Sequence, residues 1–214
     1  MKVQVEKGGL IDIPSMLGPE TEQEFVLLGD EEFVRGLDWG LPRYGHPEGK
    51  IYLHVLEVLS NIDLLGVSDD LRWKLRIIAL LHDAFKHRER KGTDRNGSHH
   101  GHLARVYAEK RFSGLDDILD LIEWHDEAYF AWRKVFLQGK PDEGLKRLER
   151  LERIMGMRME WYYYFFWCDT RTGDKNPAPL IWFEKKLSDR IPAIAHPKGT
   201  MAFAMPELDK RLSG

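Results

Sequence analysis

The sequence has a single cysteine, Cys168, among its 214 residues, so an internal disulfide is excluded. It also lacks an uninterrupted apolar run of the ~18 residues that a membrane span needs. Residues 1–6 alternate apolar and polar side chains, whereas a signal peptide has an apolar core there. We therefore predict a cytoplasmic protein with no membrane-spanning segment.

An excess of charge of one sign is also missing, since the formal net charge is -3. No global basic field points to nucleic acid or to an anionic membrane as a partner. Hydrophobic residues make up 43% and charged residues 31%, which is typical of a folded globular chain. We predict one domain over residues 1–214, with an N-terminal arm at 1–28, a motif-bearing core at about 45–175 and a C-terminal extension at 190–214. The sequence does not indicate an oligomeric state.

Helical periodicity dominates the chain. Val3 and Val5 alternate with polar residues, which predicts a short β-hairpin or an extended arm at the N-terminus. Apolar spacing and capping residues then predict an all-α bundle. Helices are expected over about residues 30–39, 50–65, 68–85, 102–112, 116–125, 141–153 and 179–188, with loops at 40–49 and 87–98. The seven consecutive aromatic residues 161–167 predict a helix that is buried on most sides.

Four polar residues extend the apolar faces of different predicted helices: His54, His82, His125 and Asp169. A buried carboxylate without a partner costs several kcal/mol or takes up a proton. One metal ion would give all four a common partner. His82 and Asp83 project about 100° apart on a helix, so His82 can bind one ion while Asp83 bridges toward a second.

Mixed imidazole and carboxylate ligands suit a divalent ion such as manganese, iron, cobalt, nickel, zinc or magnesium. The chain has no cluster of thiolates, which argues against a structural zinc finger. One or two such ions would lower the pKa of a bound water and hold a phosphoryl oxygen. The pattern therefore indicates a metal-dependent hydrolase.

Several segments resemble the HD-domain superfamily of metal-dependent phosphohydrolases. The Leu-Leu-His-Asp-Ala-Phe-Lys segment at 80–86 is similar to the core helix of that family. Gly-His-Pro-Glu-Gly at 45–49 followed by His54, the His-Gly-His at 100–102 and residues 169–173 resemble HD domains of bacterial tRNA nucleotidyltransferases. The resemblance covers roughly residues 45–175. Phe85 departs from it, since many members have glycine before the lysine, and about 45 upstream residues leave no room for a nucleotidyltransferase head domain.

The resemblance implies an HD-type helical bundle that hydrolyses a phosphoester of a nucleotide or a small phosphorylated metabolite by attack of a metal-bound hydroxide. It assigns the primary metal to His54, His82, Asp83 and Asp169. It assigns His102 and His125 to a second metal, or to the phosphate if only one ion binds. Asp83 or a metal-bound hydroxide is expected to handle the proton transfer. The residues expected to contact the substrate phosphate are Lys86, Arg171 and Lys175.

The residues leave alternatives open. His99 and His100 compete with His102 for its role, and Asp126 is expected to cap a helix or face solvent. His46 is expected in a turn, and His87 and His196 at the surface. The chain would alternatively be a regulatory module that binds a metal or a nucleotide without catalysis, or an oxygenase with a di-iron centre.

Overall fold

The computed structural model describes residues 3–5, 9–90 and 98–191, which form a helical bundle preceded by a short hairpin. Strands β1 (Val3–Val5) and β2 (Gly9–Ile11) pair antiparallel. The helices of the described chain are α1 (Ile13–Leu17), α2 (Glu22–Gly29), α3 (Glu31–Leu37), α4 (Ile51–Asp63), α5 (Asp69–Leu81), α6 (His100–Arg111), α7 (Asp116–Trp124), α8 (Glu127–Phe136), α9 (Pro141–Met155), α10 (Met159–Thr170) and α11 (Ala178–Lys186). The prediction of an all-α bundle is confirmed.

Capping residues set several helix starts. The Asp30 carboxylate accepts hydrogen bonds from the first backbone amides of α3, and the Ser68 hydroxyl accepts one from Leu71 N in α5. The predicted end of α5 at residue 85 is wrong, because the helix ends at Leu81 and the chain turns before a short 3-10 helix, Lys86–Arg88. Helices α1, α2 and α8 were not predicted. The C-terminal residues 192–214, including His196, lie outside the described residues.

The aromatic helix α10 packs beneath the two turns that follow α5 and α7. Its prediction as a buried helix is confirmed, since Tyr162, Phe165 and Trp167 are almost fully buried. The Tyr162 hydroxyl donates to the His125 carbonyl at 2.9 Å and accepts from Ala128 N at 3.0 Å. The Phe165 ring lies 5.2 Å from the His82 imidazole, centroid to centroid. Helix α10 therefore fixes both turns from one side.

Helix α5 is attached to α2 by a buried ion pair. Arg76 is 3% exposed and donates from Nε to Glu24 Oε1 and from Nη2 to Glu24 Oε2, both at 2.9 Å. Its Nη2 also donates to the Gly18 carbonyl at 3.0 Å. Because a buried charge needs a partner and hydrogen bonds, this pairing restricts how α5 can sit against the N-terminal helices.

Helix α3 approaches the turn after α5 without space for a side chain at Gly36. A Cβ added there would lie 2.1 Å from the Ala84 carbonyl oxygen. We expect Gly36→Ala to lower the free energy of unfolding by about 1–3 kcal/mol, because overpacking moves backbone. Urea denaturation measures this. Gly29→Ala is the control, since nothing lies within 4 Å of its added Cβ; equal stability of the two variants would contradict the close approach.

No helix in the described part of the chain combines the length and the apolar character that crossing a membrane requires.

Candidate metal centre

Two His-Asp pairs occupy equivalent positions in the fold. His82 follows α5 and His125 follows α7, each as the helix C-cap. Each Nδ1 lies 2.8 Å from the carbonyl oxygen three residues earlier, on Ala79 and Ile122. A carbonyl can only accept, so Nδ1 carries the proton and Nε2 keeps a lone pair. Both turns thus present an imidazole nitrogen that is ready to bind a cation.

The first group consists of His54, His82 and Asp169. His54 Nε2 lies 2.8 Å from Asp169 Oδ1 and 3.3 Å from His82 Nε2, and His82 Nε2 lies 3.7 Å from Asp169 Oδ1. These side chains come from α4, the end of α5 and α10. The structure therefore brings together three of the four residues that the family resemblance assigns to a primary metal.

The second group consists of Asp83, His100 and His125, all of them buried. His100 Nε2 lies 3.1 Å from His125 Nε2 and 3.3 Å from Asp83 Oδ1, and His125 Nε2 lies 3.6 Å from Asp83 Oδ1. Asp126 Oδ2 lies 3.3 Å from His100 Nε2 and 3.5 Å from His125 Nε2. The expectation that Asp126 caps a helix or faces solvent is wrong, because it makes no cap hydrogen bond and points at these imidazoles.

Asp83 lies between the two groups. Its Oδ1 faces His100 and His125, whereas its Oδ2 lies 3.5 Å from His82 Nε2 and accepts from Lys86 Nζ at 2.5 Å. The carboxylate is 3% exposed, and no donor among the described residues reaches Oδ1 at hydrogen-bonding geometry. A buried carboxylate oxygen in this state needs a cation or a further donor.

Both groups fit a divalent cation. Atoms that bind one ion at about 2.1 Å lie roughly 3–3.5 Å apart, and the separations within each group are close to this. The imidazole nitrogens and carboxylate oxygens suit manganese, iron, cobalt, nickel or zinc, and the carboxylates also suit magnesium. The buried His and Asp groups of the described chain can therefore hold a metal ion.

The second group contains His100 in place of the predicted His102. His102 Nδ1 lies 3.1 Å from Glu123 Oε1, its side chain is 37% exposed, and it belongs to neither group. The two histidines are separated by about 200° around α6, so only one can face the centre. Glu89 was not predicted; its Oε2 accepts from His100 Nδ1 at 2.6 Å. Such a carboxylate orients the ring with Nε2 toward the cation.

His46, His87 and His99 each have a defined place near the centre. His46 lies in a turn as predicted, and its Nδ1 is 3.0 Å from Glu48 Oε1. His99 is buried as the N-cap of α6, where its Nδ1 accepts from Gly101 N. His87 Nδ1 lies 3.1 Å from the Ala84 carbonyl and is half-buried, not at the surface.

Burial and neighbouring charges set the protonation of the first group. Burial, with the nearby Lys175 ammonium, lowers the pKa of His54 to about 3. Burial also lowers the pKa of His82 to about 4, although Asp83 opposes this. Burial alone would raise the pKa of Asp169, but Lys175 and His54 hold it well below the usual range. At neutral pH this group offers two neutral imidazoles and a carboxylate, which is the state that binds metal.

The second group and the side chains around it carry more charged groups than the first group does. Burial opposes protonation of His100, but the carboxylates of Asp126, Asp83 and Glu89 raise its pKa to about 10. Burial would raise the pKa of Asp83, but His82 and Lys86 keep it well below the usual range. The proton on His100 therefore compensates the surrounding carboxylates, a role that a bound cation can take over.

A cavity of about 350 Å³ opens onto both groups and is lined by Asp83, His125, Asp126 and Asp169. Lys86 and Lys175, expected near the substrate, also line it; Lys175 Nζ donates to Asp169 Oδ1 at 2.8 Å. Arg171 does not line it. Its guanidinium lies 4.6 Å from the centre of the Trp167 ring, so packing on that ring replaces the expected substrate contact.

Comparison of the chain with protein-family models, with curated proteins and with solved structures gives no match.

Proposed function

We propose that this chain is a metal-dependent phosphohydrolase with an HD-type bundle, and that it cleaves a phosphoester of a nucleotide or a small phosphorylated metabolite. The main support is the position of Asp83 between two imidazole–carboxylate groups on the wall of a cavity that also carries Lys86 and Lys175. Cation sites and ammonium groups in one cavity match the charge of a phosphoryl group.

The residues of the chain bind and orient the substrate. Lys86 and Lys175 neutralise charge on the phosphoryl oxygens, and Phe130 and Phe166 form an apolar wall that strengthens these interactions by excluding water. Bound divalent ions would lower the pKa of a coordinated water and draw charge from the phosphoryl oxygens. Asp83 lies between the two groups, with Oδ2 facing His82 and Oδ1 facing His100 and His125, and so connects them.

The test is metal analysis of protein purified without chelator, followed by manganese-supported phosphate release from a panel of phosphomonoesters and phosphodiesters. The expected result is one or two divalent ions per chain and turnover of at least one substrate class. Bound metal without turnover across the panel would instead favour a regulatory module. Bound iron with oxygen-dependent optical changes would favour an oxygenase.

A further inference from the structure

A second cavity of about 460 Å³ adjoins the first, and Arg43 lines both of them. None of the residues in the two metal-binding groups lines it. Its walls come from the end of α3 and the loop before α4: Asp38, Trp39, Gly40, Leu41, Pro42, Arg43 and Lys50. The proposed function assigns this cavity no role.

The loop that carries Arg43 is held in one conformation by its own hydrogen bonds. Arg43 N donates to the His46 carbonyl at 3.0 Å, and His46 N donates to the Arg43 carbonyl at 2.8 Å. Gly45 N donates to Asp174 Oδ1 at 2.7 Å. The tip of the loop is therefore attached to the segment that carries Lys175, so the backbone at Arg43 is fixed relative to the first cavity.

The base of this loop is also tightly packed. Gly40 has φ +118, and a Cβ added there would lie 2.2 Å from the Gly49 carbonyl oxygen. Ile51 N donates to the Trp39 carbonyl at 3.0 Å. The backbone under Trp39 is thus constrained, and its indole is 44% exposed on a rigid support. Binding to such a preorganised surface loses little conformational entropy.

The side chains of the second cavity offer a planar face and a cation. The Arg43 guanidinium makes no hydrogen bond or ion pair with any residue that the structure describes. Asp38 does not neutralise it, since Lys50 Nζ lies 3.3 Å from Asp38 Oδ1 and donates to the Asp38 carbonyl. Guanidinium groups bind phosphate and indole rings stack on bases, so this pair of groups matches a nucleotide.

The first cavity repeats this combination. It has an aromatic wall at Tyr129 and Phe130, and ammonium groups at Lys86 and Lys175. Each cavity has a volume within the range of small-molecule sites. Arg43 lines both cavities, so it lies where the first cavity, with its metal-binding groups, meets the second cavity, which carries the Trp39 indole. Each cavity therefore offers an aromatic wall for one base, and the cationic side chains beside these walls match the phosphates that join two bases.

Resting on the proposed phosphohydrolase function, we propose that the substrate is a phosphodiester of two nucleotides and that the second cavity binds the leaving nucleotide. Arg43 binds the phosphate of that nucleotide and Trp39 stacks on its base. In hydrolysis, the oxygen of water bonds to the bridging phosphorus and the bond from phosphorus to the 3′ oxygen breaks. The 3′ oxygen takes a proton from the water. A linear adenine dinucleotide with a 5′ phosphate then gives two adenosine 5′-monophosphates.

The experiment compares kcat/KM for that dinucleotide with kcat/KM for p-nitrophenyl phosphate, using full-length protein loaded with manganese. We expect Trp39→Ala and Arg43→Gln each to lower the ratio of the two values by about tenfold or more, since only the dinucleotide reaches the second cavity. Phe25→Ala and Arg35→Gln are matched controls, because both residues are exposed and line neither cavity. They should change the ratio by less than about twofold.

An unchanged ratio in both cavity variants overturns the proposal. If the wild type turns over neither substrate, the proposed function fails, and calorimetric binding of the dinucleotide to the same four variants decides the present inference separately. Weaker binding in Trp39→Ala and Arg43→Gln alone supports the second cavity as a nucleotide site. Equal binding in all four variants contradicts it.

Discussion

Asp83→Asn is expected to lower kcat/KM for phosphoester hydrolysis by about a thousandfold or more. The substitution keeps the shape of the side chain but removes the charge that lies between the two imidazole groups. A loss of several kcal/mol of transition-state stabilisation, the size that a metal contributes, corresponds to about three decades in rate. Steady-state kinetics with saturating manganese measures the effect, and metal analysis should show fewer bound ions per chain.

The matched control is Asp69→Asn in the first turn of α5, the helix that precedes Asp83, where the carboxylate is exposed. It should retain wild-type activity within about twofold. Circular dichroism on both variants separates a loss of chemistry from a loss of fold. Wild-type turnover by folded Asp83→Asn protein would refute a role for this carboxylate in the proposed reaction.

Periodicity in the sequence was enough to place most of the first group. His54 and His82 follow apolar positions on α4 and α5, and the structure buries both against the same aromatic helix. Asp169 ends the apolar face of α10 in the same way. These residues could be predicted because a regular helix fixes the direction of each side chain relative to its neighbours.

The positions of the side chains in the second group depend on where helices end, and periodicity in the sequence does not fix those ends. Helix α7 stops at Trp124, and the reversal into α8 turns Asp126 back toward His125. The sequence did contain a signal, since the His-Asp pair occurs at residues 82–83 and again at 125–126, each after an apolar helix. Helix α8 itself was missed, although it supplies the Tyr129 and Phe130 wall of the cavity.

The choice among the three histidines at 99, 100 and 102 also depended on a helix boundary. His99 caps α6 through its Nδ1, so the first helical residue is His100. Helix α6 lies so close to α7 that a Cβ on Gly101 would be 2.5 Å from the Glu123 carbonyl oxygen. This approach brings His100 next to His125, a contact between distant parts of the chain that local sequence does not encode.

His100→Ala and His102→Ala therefore form a decisive pair. We expect His100→Ala to lose about one bound ion per chain and to reduce kcat/KM by roughly a hundredfold or more, since the second group loses one imidazole and Glu89 loses its partner. His102→Ala removes only a partly exposed contact with Glu123, so its metal content and kcat/KM should stay within about twofold of wild type.

Metal analysis and steady-state kinetics on the same preparations distinguish the two assignments. The opposite result, with His102→Ala losing the ion and His100→Ala retaining it, would mean that α6 is rotated by about half a turn from the orientation described above. If both variants keep the metal content of the wild type, α6 contributes no ligand to the metal centre. Loss confined to His100→Ala would establish that His100, the first residue of α6, and not His102 two residues later, completes the site around Asp83.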